Sequence, residues 1–350
     1  MKAMILAAGV GSRLHPLTHT LPKPLVPVVN RPVMEHIVNL LRRHGFDDIV
    51  VNVYHLANQI MEYFGDGSRF GVRITYSDEE RLWGDAGSVK RCEDFFGDET
   101  FLVIGGDDLS DIDLTRFLEH HKQKSALASI ALSLVDDPAE YGIVLMNEDG
   151  RITRFLEKPR GEVIFSNTAN TGIYLFEPEA LELIPRNTFY LFGKTFFPLM
   201  LEQRRPVYGY LTAGYWMDVG SLGMYLRAHR DALEGRVELE FPCRERRKFQ
   251  WVADSAVIEE GAAIEYPVVI GENCRVEAGA RAQEGTVLGP GCVVESGAVV
   301  RESVLWENAR VQKDTRLVRC VVGRGCHVKS NAAIFDGVVV DLSALRDNGV

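Results

Sequence analysis

Two cations set among small residues near the N-terminus carry the first recognisable chemistry. An apolar run, Met4 to Ala8, leads directly into Gly9-Val10-Gly11-Ser12-Arg13-Leu14, and Pro22-Lys23-Pro24 follows. A buried strand that ends in glycines lets backbone N–H groups approach phosphate oxygens with no Cβ in the way. Arg13 and Lys23 add mobile positive charge. The prolines flanking Lys23 stop its loop from continuing as helix and narrow the reach of its ammonium. In this order the parts describe a site for a nucleoside triphosphate. Neither the G-K-[ST] ending of the Walker loop nor the third glycine of the dinucleotide fingerprint is present.

Two aspartates offer hard oxygen ligands. Phe101 to Asp107 reads as a buried strand ending in a carboxylate, a place where α/β enzymes hold Mg²⁺ by one carboxylate, with water and phosphate completing the shell. Asp218 lies in Tyr215-Trp216-Met217-Asp218-Val219-Gly220. Taken alone, Asp107 serves equally well as a turn cap and Asp218 as a surface loop residue.

The elements that must position these groups fall into two regions. Over residues 1–235, apolar β-branched runs (2–8, 48–53, 72–76, 101–104, 127–134, 143–146, 172–176 and 206–211) alternate with amphipathic segments at 32–44, 57–64, 88–95 and 114–123. This alternation predicts an α/β, doubly wound, mainly parallel Rossmann-like sheet whose ligands sit beyond the carboxyl ends of the strands. Residues 236–250 are charged and aperiodic and read as a linker. Beyond them, over 251–340, a repeat of six places Val252, Ile258, Ile264, Ile270, Val276, Ala282, Leu288, Val294, Val300, Trp306 and Val318 in one frame, broken only by Gln312. Glycines at 261, 279, 285, 291 and 297 fall three places later, and a new frame starts near Val322. Such hexads predict a left-handed β-helix of about four to five coils.

Composition excludes several classes. With 46% hydrophobic and 25% charged residues a core is available, and a formal net charge of −10 disfavours nucleic acid or an anionic membrane as partner. Anionic substrates then need local cations such as Arg13, Lys23 and Lys158. No run approaches transmembrane length and no signal peptide is evident, so a cytoplasmic protein is expected. Six cysteines without a C-x-x-C pair predict free, mostly buried thiols.

The run Leu6-Ala7-Ala8-Gly9-Val10-Gly11-Ser12-Arg13-Leu14-His15-Pro16-Leu17-Thr18, followed by Leu21-Pro22-Lys23-Pro24-Leu25, resembles the signature of the sugar-1-phosphate nucleotidylyltransferases. Ser12 and His15 stand where that family usually has Thr and Arg. The resemblance implies attack of a sugar 1-phosphate oxygen on the α-phosphorus of a nucleoside triphosphate, with release of pyrophosphate. The nucleophile is already an anion, so alignment and charge neutralisation matter more than a general base. It implies nucleotide contacts from Leu6, Ala8, Gly9, Gly11 and Ser12, catalytic roles for Arg13, Lys23 and Asp107, and Mg²⁺ held by Asp107 and Asp218. Asp108 replaces the apolar residue usual after the metal aspartate.

Other motifs extend the likeness. Glu157-Lys158-Pro159, Asn170-Thr171-Gly172-Ile173-Tyr174 and Tyr141-Gly142 resemble the family's sugar-phosphate segments, implying roles for Gly142, Glu157, Lys158, Asn170 and Thr171. Leu82-Trp83-Gly84-Asp85-Ala86-Gly87 aligns with the base and ribose loop, with Asp85 in place of a small hydroxyl residue. Glu79 and Glu80 lie near where uridylyl and thymidylyl relatives place a glutamine. A carboxylate only accepts hydrogen bonds, which suits the two donors of guanine, although both glutamates can also be solvated. Trp83 can stack on a base or serve as core or lid.

The resulting expectation is a transferase like the mannose-1-phosphate guanylyltransferases, joining GTP and mannose 1-phosphate, with homo-oligomerisation through the β-helix. The alternatives are a glucose-1-phosphate uridylyltransferase or another nucleotidylyltransferase with a different base and sugar, a bifunctional enzyme with a hexapeptide acyltransferase, and a non-catalytic regulatory subunit that binds nucleotide sugar. The acyltransferase is weakened by His327 being the sole histidine of the repeats.

Overall fold

The computed structural model describes residues 1–159 and 163–341. They form two compact units. Residues Met1–Val10 and Ile37–Asp218 make the first, and Gly11–His36 joins the chain from Val219 onward in the second.

The first unit is built on a nine-stranded sheet. Lys2–Leu6 pairs in parallel with both Asp48–Val53 and Phe101–Gly105, and Asp48–Val53 pairs in parallel with Arg73–Asp78. The three inner strands are nearly continuous apolar runs because both faces are covered; Ala3, Met4 and Ile5 are fully buried, whereas Arg73–Asp78, at the sheet edge, is mixed and partly exposed. The sheet becomes antiparallel beyond Phe101–Gly105, where Thr168–Phe176 pairs with it and with Ala128–Leu134. Val207–Leu211 runs parallel to Ala128–Leu134 at the far side. Of the amphipathic segments, Ala57–Phe64 and Leu114–Gln123 are helices with the expected bounds, and 88–95 is two short helices, Asp85–Arg91 and Glu93–Phe96. A core rich in phenylalanine, including Phe101, Phe176, Phe192 and Phe197, packs on the sheet.

The second unit carries a three-faced parallel β-helix with sheets of seven, five and five strands, of the left-handed class the hexads predict. Part of 236–250 is ordered strand: Glu245–Arg247 and Gln250–Val252 form an antiparallel hairpin that begins the seven-stranded sheet. Ile270 pairs with Leu288, eighteen residues on, as three hexads require. The frame then shortens earlier than the sequence suggests. Leu288 pairs with Leu305 and Val294 with Val311, seventeen residues on, so one turn has lost a residue before 305. A second loss makes Leu305 pair with Val322. The bore is therefore filled by Leu305, Val311 and Leu317, in place of Trp306, Gln312 and Val318. Trp306 instead donates its indole N–H to Tyr225 Oη at 2.9 Å, on a helix, Leu222–Leu233, that the sequence reading did not single out. Ile258 is half-exposed because the first coil has no coil before it to stack on. The repeat glycines occupy left-handed corners, such as Gly291 at φ 70°. All six cysteines are free, and all but Cys243 are buried.

Candidate active site

Four parallel strands end side by side, and their register decides which residues meet. Leu6 is opposite Gly105 on one side and Asn52 on the other, and Asn52 is opposite Ser77. The carboxyl edge of the sheet thus carries Ala8 and Gly9, Asn52, Glu79 and Asp107 on successive strands, where ligands of open α/β sheets bind.

A cavity of about 260 Å³ opens there. It is lined by the expected Leu6, Ala8, Gly9, Glu79, Gly84 and Asp85, and by Asn52, Leu82, Ser88 and Phe189. Asn52, Ser88 and Phe189 escaped the sequence reading because an isolated polar residue at a strand end, a lone serine inside a helix and an exposed aromatic have no spacing that marks them. The loop at Gly84 is held by Tyr190: Gly87 N–H donates to Tyr190 O at 3.1 Å, and Tyr190 N–H donates to Trp83 O at 2.9 Å. Gly84 has φ 76°, and a Cβ there would collide with Tyr190 O.

Glu79 and Glu80 part company. Glu79 is 4% exposed, accepts from Asn52 Nδ2 at 3.0 Å through Oε1, and leaves Oε2 buried without a hydrogen-bond partner. Burial raises its pKa, opposed in part by the Ser88 hydroxyl, Asn52, the Arg91 charge and the Trp83 backbone N–H, although Ser88 and Trp83 stand too far off or too poorly aligned to make a direct hydrogen bond to Oε2. Glu80 is solvated and pairs with Arg91 at 3.3 Å. Trp83 takes the core option: it is buried, with the Arg81 and Arg91 guanidiniums 3.8 and 4.6 Å from its ring centroid. Asp85 Oδ1 accepts from the Ala86 and Phe192 N–H groups, both at 2.7 Å, so this residue ties its loop to the Phe192 segment. Burial pushes its pKa up to about 6 despite those two bonds, and the nearby Glu157 charge adds to the rise.

The residues expected on the sugar side gather on the antiparallel half of the sheet. Gly142 faces Glu157, whose Oε2 would lie 2.7 Å from a Cβ at 142; Gly193 closes on the same carboxylate. Burial raises the pKa of Glu157, while Lys158 and Lys194 oppose the rise. Lys194 is a further cation the sequence reading missed, because it lies in a π-helical turn, Phe192–Phe196, outside any motif. Asn170 accepts from Gly172 N–H at 3.0 Å and donates to Tyr174 Oη at 2.9 Å. Thr171 is fully buried, and its hydroxyl donates to Ala131 O at 2.8 Å. Its side chain therefore braces the strand irregularity at 170–174.

The aspartates are arranged by a two-stranded ladder in which Asp218 is opposite Asp108. Asp108 is buried and accepts from Trp216 Nε1 and Gly105 N–H. Asp107 is its neighbour in the chain, and with the Asp108 carboxylate occupied by these two donors, Asp107 and Asp218 are the pair whose oxygens would fit a Mg²⁺ completed by water and phosphate oxygens. Among the described residues no group of three or more His, Cys, Asp or Glu side chains forms a closed metal cage.

Within the second unit, Gly11 adopts φ 68° and packs against Lys23, so that a Cβ at 11 would lie 3.0 Å from Lys23 Cβ. Thr18 Oγ1 donates to Gly11 O at 2.8 Å. Ser12–Leu14 and Lys23–Leu25 are short 3₁₀ turns, and Lys23 is largely buried. Gly11, Ser12, Arg13 and Lys23 thus form one folded segment whose shape depends on a residue without a side chain at 11.

A sheet whose parallel carboxyl edge bears a glycine loop, a largely apolar cavity with a few polar groups and a pair of aspartates fits an α/β nucleotidyltransferase. The chain belongs to the nucleotidyl transferase family, whose model matches residues 2–235; a "GMPPB C-terminal domain" model matches 249–348. It is 41% identical to a UTP–glucose-1-phosphate uridylyltransferase of Synechocystis sp. over 95% of this chain and 90% of that protein. It is also 32% identical to mannose-1-phosphate guanylyltransferase 1 of Arabidopsis thaliana, over 97% of this chain and 86% of that protein. A solved structure from Bacillus anthracis, described as a glucose-1-phosphate thymidylyltransferase, superposes with a TM-score of 0.61 at 29% identity, covering 69% of this chain and 97% of its own. The protein is a sugar-1-phosphate nucleotidyltransferase, and no helix among its described residues is long and apolar enough to cross a membrane.

Proposed function

We propose that the protein transfers a guanylyl group from GTP to mannose 1-phosphate, giving GDP-mannose and pyrophosphate. The observation that carries this reading is the buried, unpaired Glu79 Oε2 in the base-side cavity. Guanine presents N1–H and N2–H₂ side by side to such an acceptor.

In this reading backbone groups at Gly9, Gly11 and Ser12 receive the triphosphate, and Arg13 and Lys23 neutralise the phosphates and the departing pyrophosphate. Asp107 and Asp218 hold Mg²⁺, which when bound supplies positive charge to the phosphate oxygens. Gly142 shapes the sugar pocket, Glu157 and Asn170 bind sugar hydroxyls, and Lys158 binds the sugar phosphate. We further propose that the enzyme works in the cytoplasm and self-associates through its β-helix, where Val257, Tyr266 and Phe335 are exposed apolar residues.

A second reading, UTP with glucose 1-phosphate, is supported by the 41% identity to the Synechocystis uridylyltransferase. Purified protein incubated with Mg²⁺ and each pairing of GTP, UTP, CTP, ATP or dTTP with mannose, glucose, galactose or N-acetylglucosamine 1-phosphate separates the two by pyrophosphate release. Strong release with GTP and mannose 1-phosphate is expected. Release with UTP and glucose 1-phosphate selects the second reading, and nucleotide-sugar binding without release in any pairing establishes a regulatory subunit.

A further inference from the structure

Asn52 stands at the centre of a buried relay. Its Oδ1 accepts the Ala7 N–H at 2.9 Å, and its Nδ2 donates to Glu79 Oε1 at 3.0 Å. The orientation of this amide is determined by its partners. Turning it over would set Nδ2 against the Ala7 N–H and Oδ1 against the carboxylate, donor facing donor and acceptor facing acceptor. Asn52 and Glu79 are 3% and 4% exposed, and both line the cavity. One carboxylate oxygen is thus pinned by the relay, while Oε2 is a buried acceptor with no direct hydrogen bond, which a donor on a ligand would satisfy.

Resting on the guanine reading above, we propose that Asn52 sets the base selectivity of this site as a positioning residue, by holding the Glu79 carboxylate so that its acceptor edge meets the base. Guanine answers that edge with two adjacent donors. Uracil offers N3–H between two carbonyl oxygens, so a carboxylate gains one bond and faces like partial charges on either side. Of the charged groups around Glu79, Arg91 favours its carboxylate form while engaged with Glu80 and the Trp83 ring, and Asp85 is turned to the Ala86 and Phe192 amides. The same relay predicts its own inversion. In Glu79→Gln, Asn52 Nδ2 holds the new amide by its oxygen, so a donor replaces the acceptor at the Oε2 position. That donor opposes guanine N1–H and N2–H₂ and suits uracil O4.

The test is kcat/KM for GTP, ITP and UTP, with the best sugar phosphate, in the wild type, E79Q and N52D. The ratio of two nucleotides within one preparation is independent of the folded fraction. The expected result is a wild type that prefers GTP to UTP by at least about 100-fold and loses about 10-fold on ITP, which lacks the 2-amino donor. E79Q should lower the GTP:UTP ratio at least about 100-fold. N52D sets a second carboxylate against Glu79, so the pair retains a proton; its ratio should fall and recover as pH rises, a profile absent from the wild type above pH 7. A GTP-preferring wild type with unchanged ratios in both variants overturns the relay and leaves the guanine reading standing. A change in E79Q with none in N52D overturns the role of Asn52. A wild type that prefers UTP overturns the guanine reading and the relay with it.

Discussion

Trp216 donates its indole N–H to Asp108 Oδ1 at 3.1 Å, and Gly105 N–H donates to Asp108 Oδ2 at 3.2 Å. Each oxygen of this buried carboxylate therefore has a donor of its own. An amide at 108 has one acceptor and one donor, and the donor must face an N–H. Asp108→Asn is expected to lose about 1–3 kcal/mol of stability and to raise the Mg²⁺ concentration needed for half-maximal activity, since the ladder that sets Asp218 opposite 108 is disturbed. Thermal melts and a Mg²⁺ titration check both parts.

Lys23 and Gly11 share a tight contact in the second unit. Lys23→Ala should lower turnover by about two to three orders of magnitude without changing the melting temperature much, as expected for a cation acting on phosphate charge. Gly11→Ala must force a positive φ on a side chain and press on Lys23, and should lower both turnover and stability. Steady-state kinetics beside circular dichroism distinguish the two patterns.

Asp85 is held near pKa 6 by burial, above the usual 3.8. The native state therefore binds more protons than the unfolded chain between those values. Stability falls as pH rises through that window, and the cost stands in full above pH 6. Asp85→Asn keeps an oxygen for the Ala86 and Phe192 amides and removes the buried charge. It should gain about 1–2 kcal/mol at pH 8 and almost nothing at pH 4, read from denaturant melts at the two values.

His229 shows the opposite sign. Its Nδ1 accepts the Val29 N–H at 3.3 Å, its Nε2–H donates to Pro27 O at 3.1 Å, and burial holds its pKa down to about 3. Below pH 6.5 the unfolded chain takes up a proton that the fold refuses, so stability is lost as pH falls from 6.5 toward 3, by up to about 4 kcal/mol. His229→Gln should start less stable at pH 7 and show a shallower decline over pH 6.5–4 in thermal melts.

Leu305 and Leu317 fill the bore of the β-helix. Truncating either to alanine should cost about 2–5 kcal/mol, measured by denaturant unfolding.

Much of this protein was legible from local order alone. Alternating β-branched runs and amphipathic segments predict strands and helices because burial imposes their periods, and the hexad predicts a solenoid because every sixth residue must point inward. The glycine loop and Lys23 stand out in the sequence because a phosphate site calls for bare backbone and cation close together in the chain. Where a turn of the solenoid loses a residue, the inward frame moves from Trp306 to Leu305, and no local pattern marks that step because both residues are apolar. The relation among Ala7, Asn52 and Glu79 is likewise invisible in the sequence. Three residues spread over more than seventy positions meet through the register of parallel strands, and only that register decides that Glu79 is buried with an oxygen to spare while Glu80 lies in water. Trp83 and Asp108 follow the same rule: residue type gave their chemistry, and the neighbours supplied by tertiary structure, Arg81 and Arg91 for one and Trp216 for the other, decided how it is used.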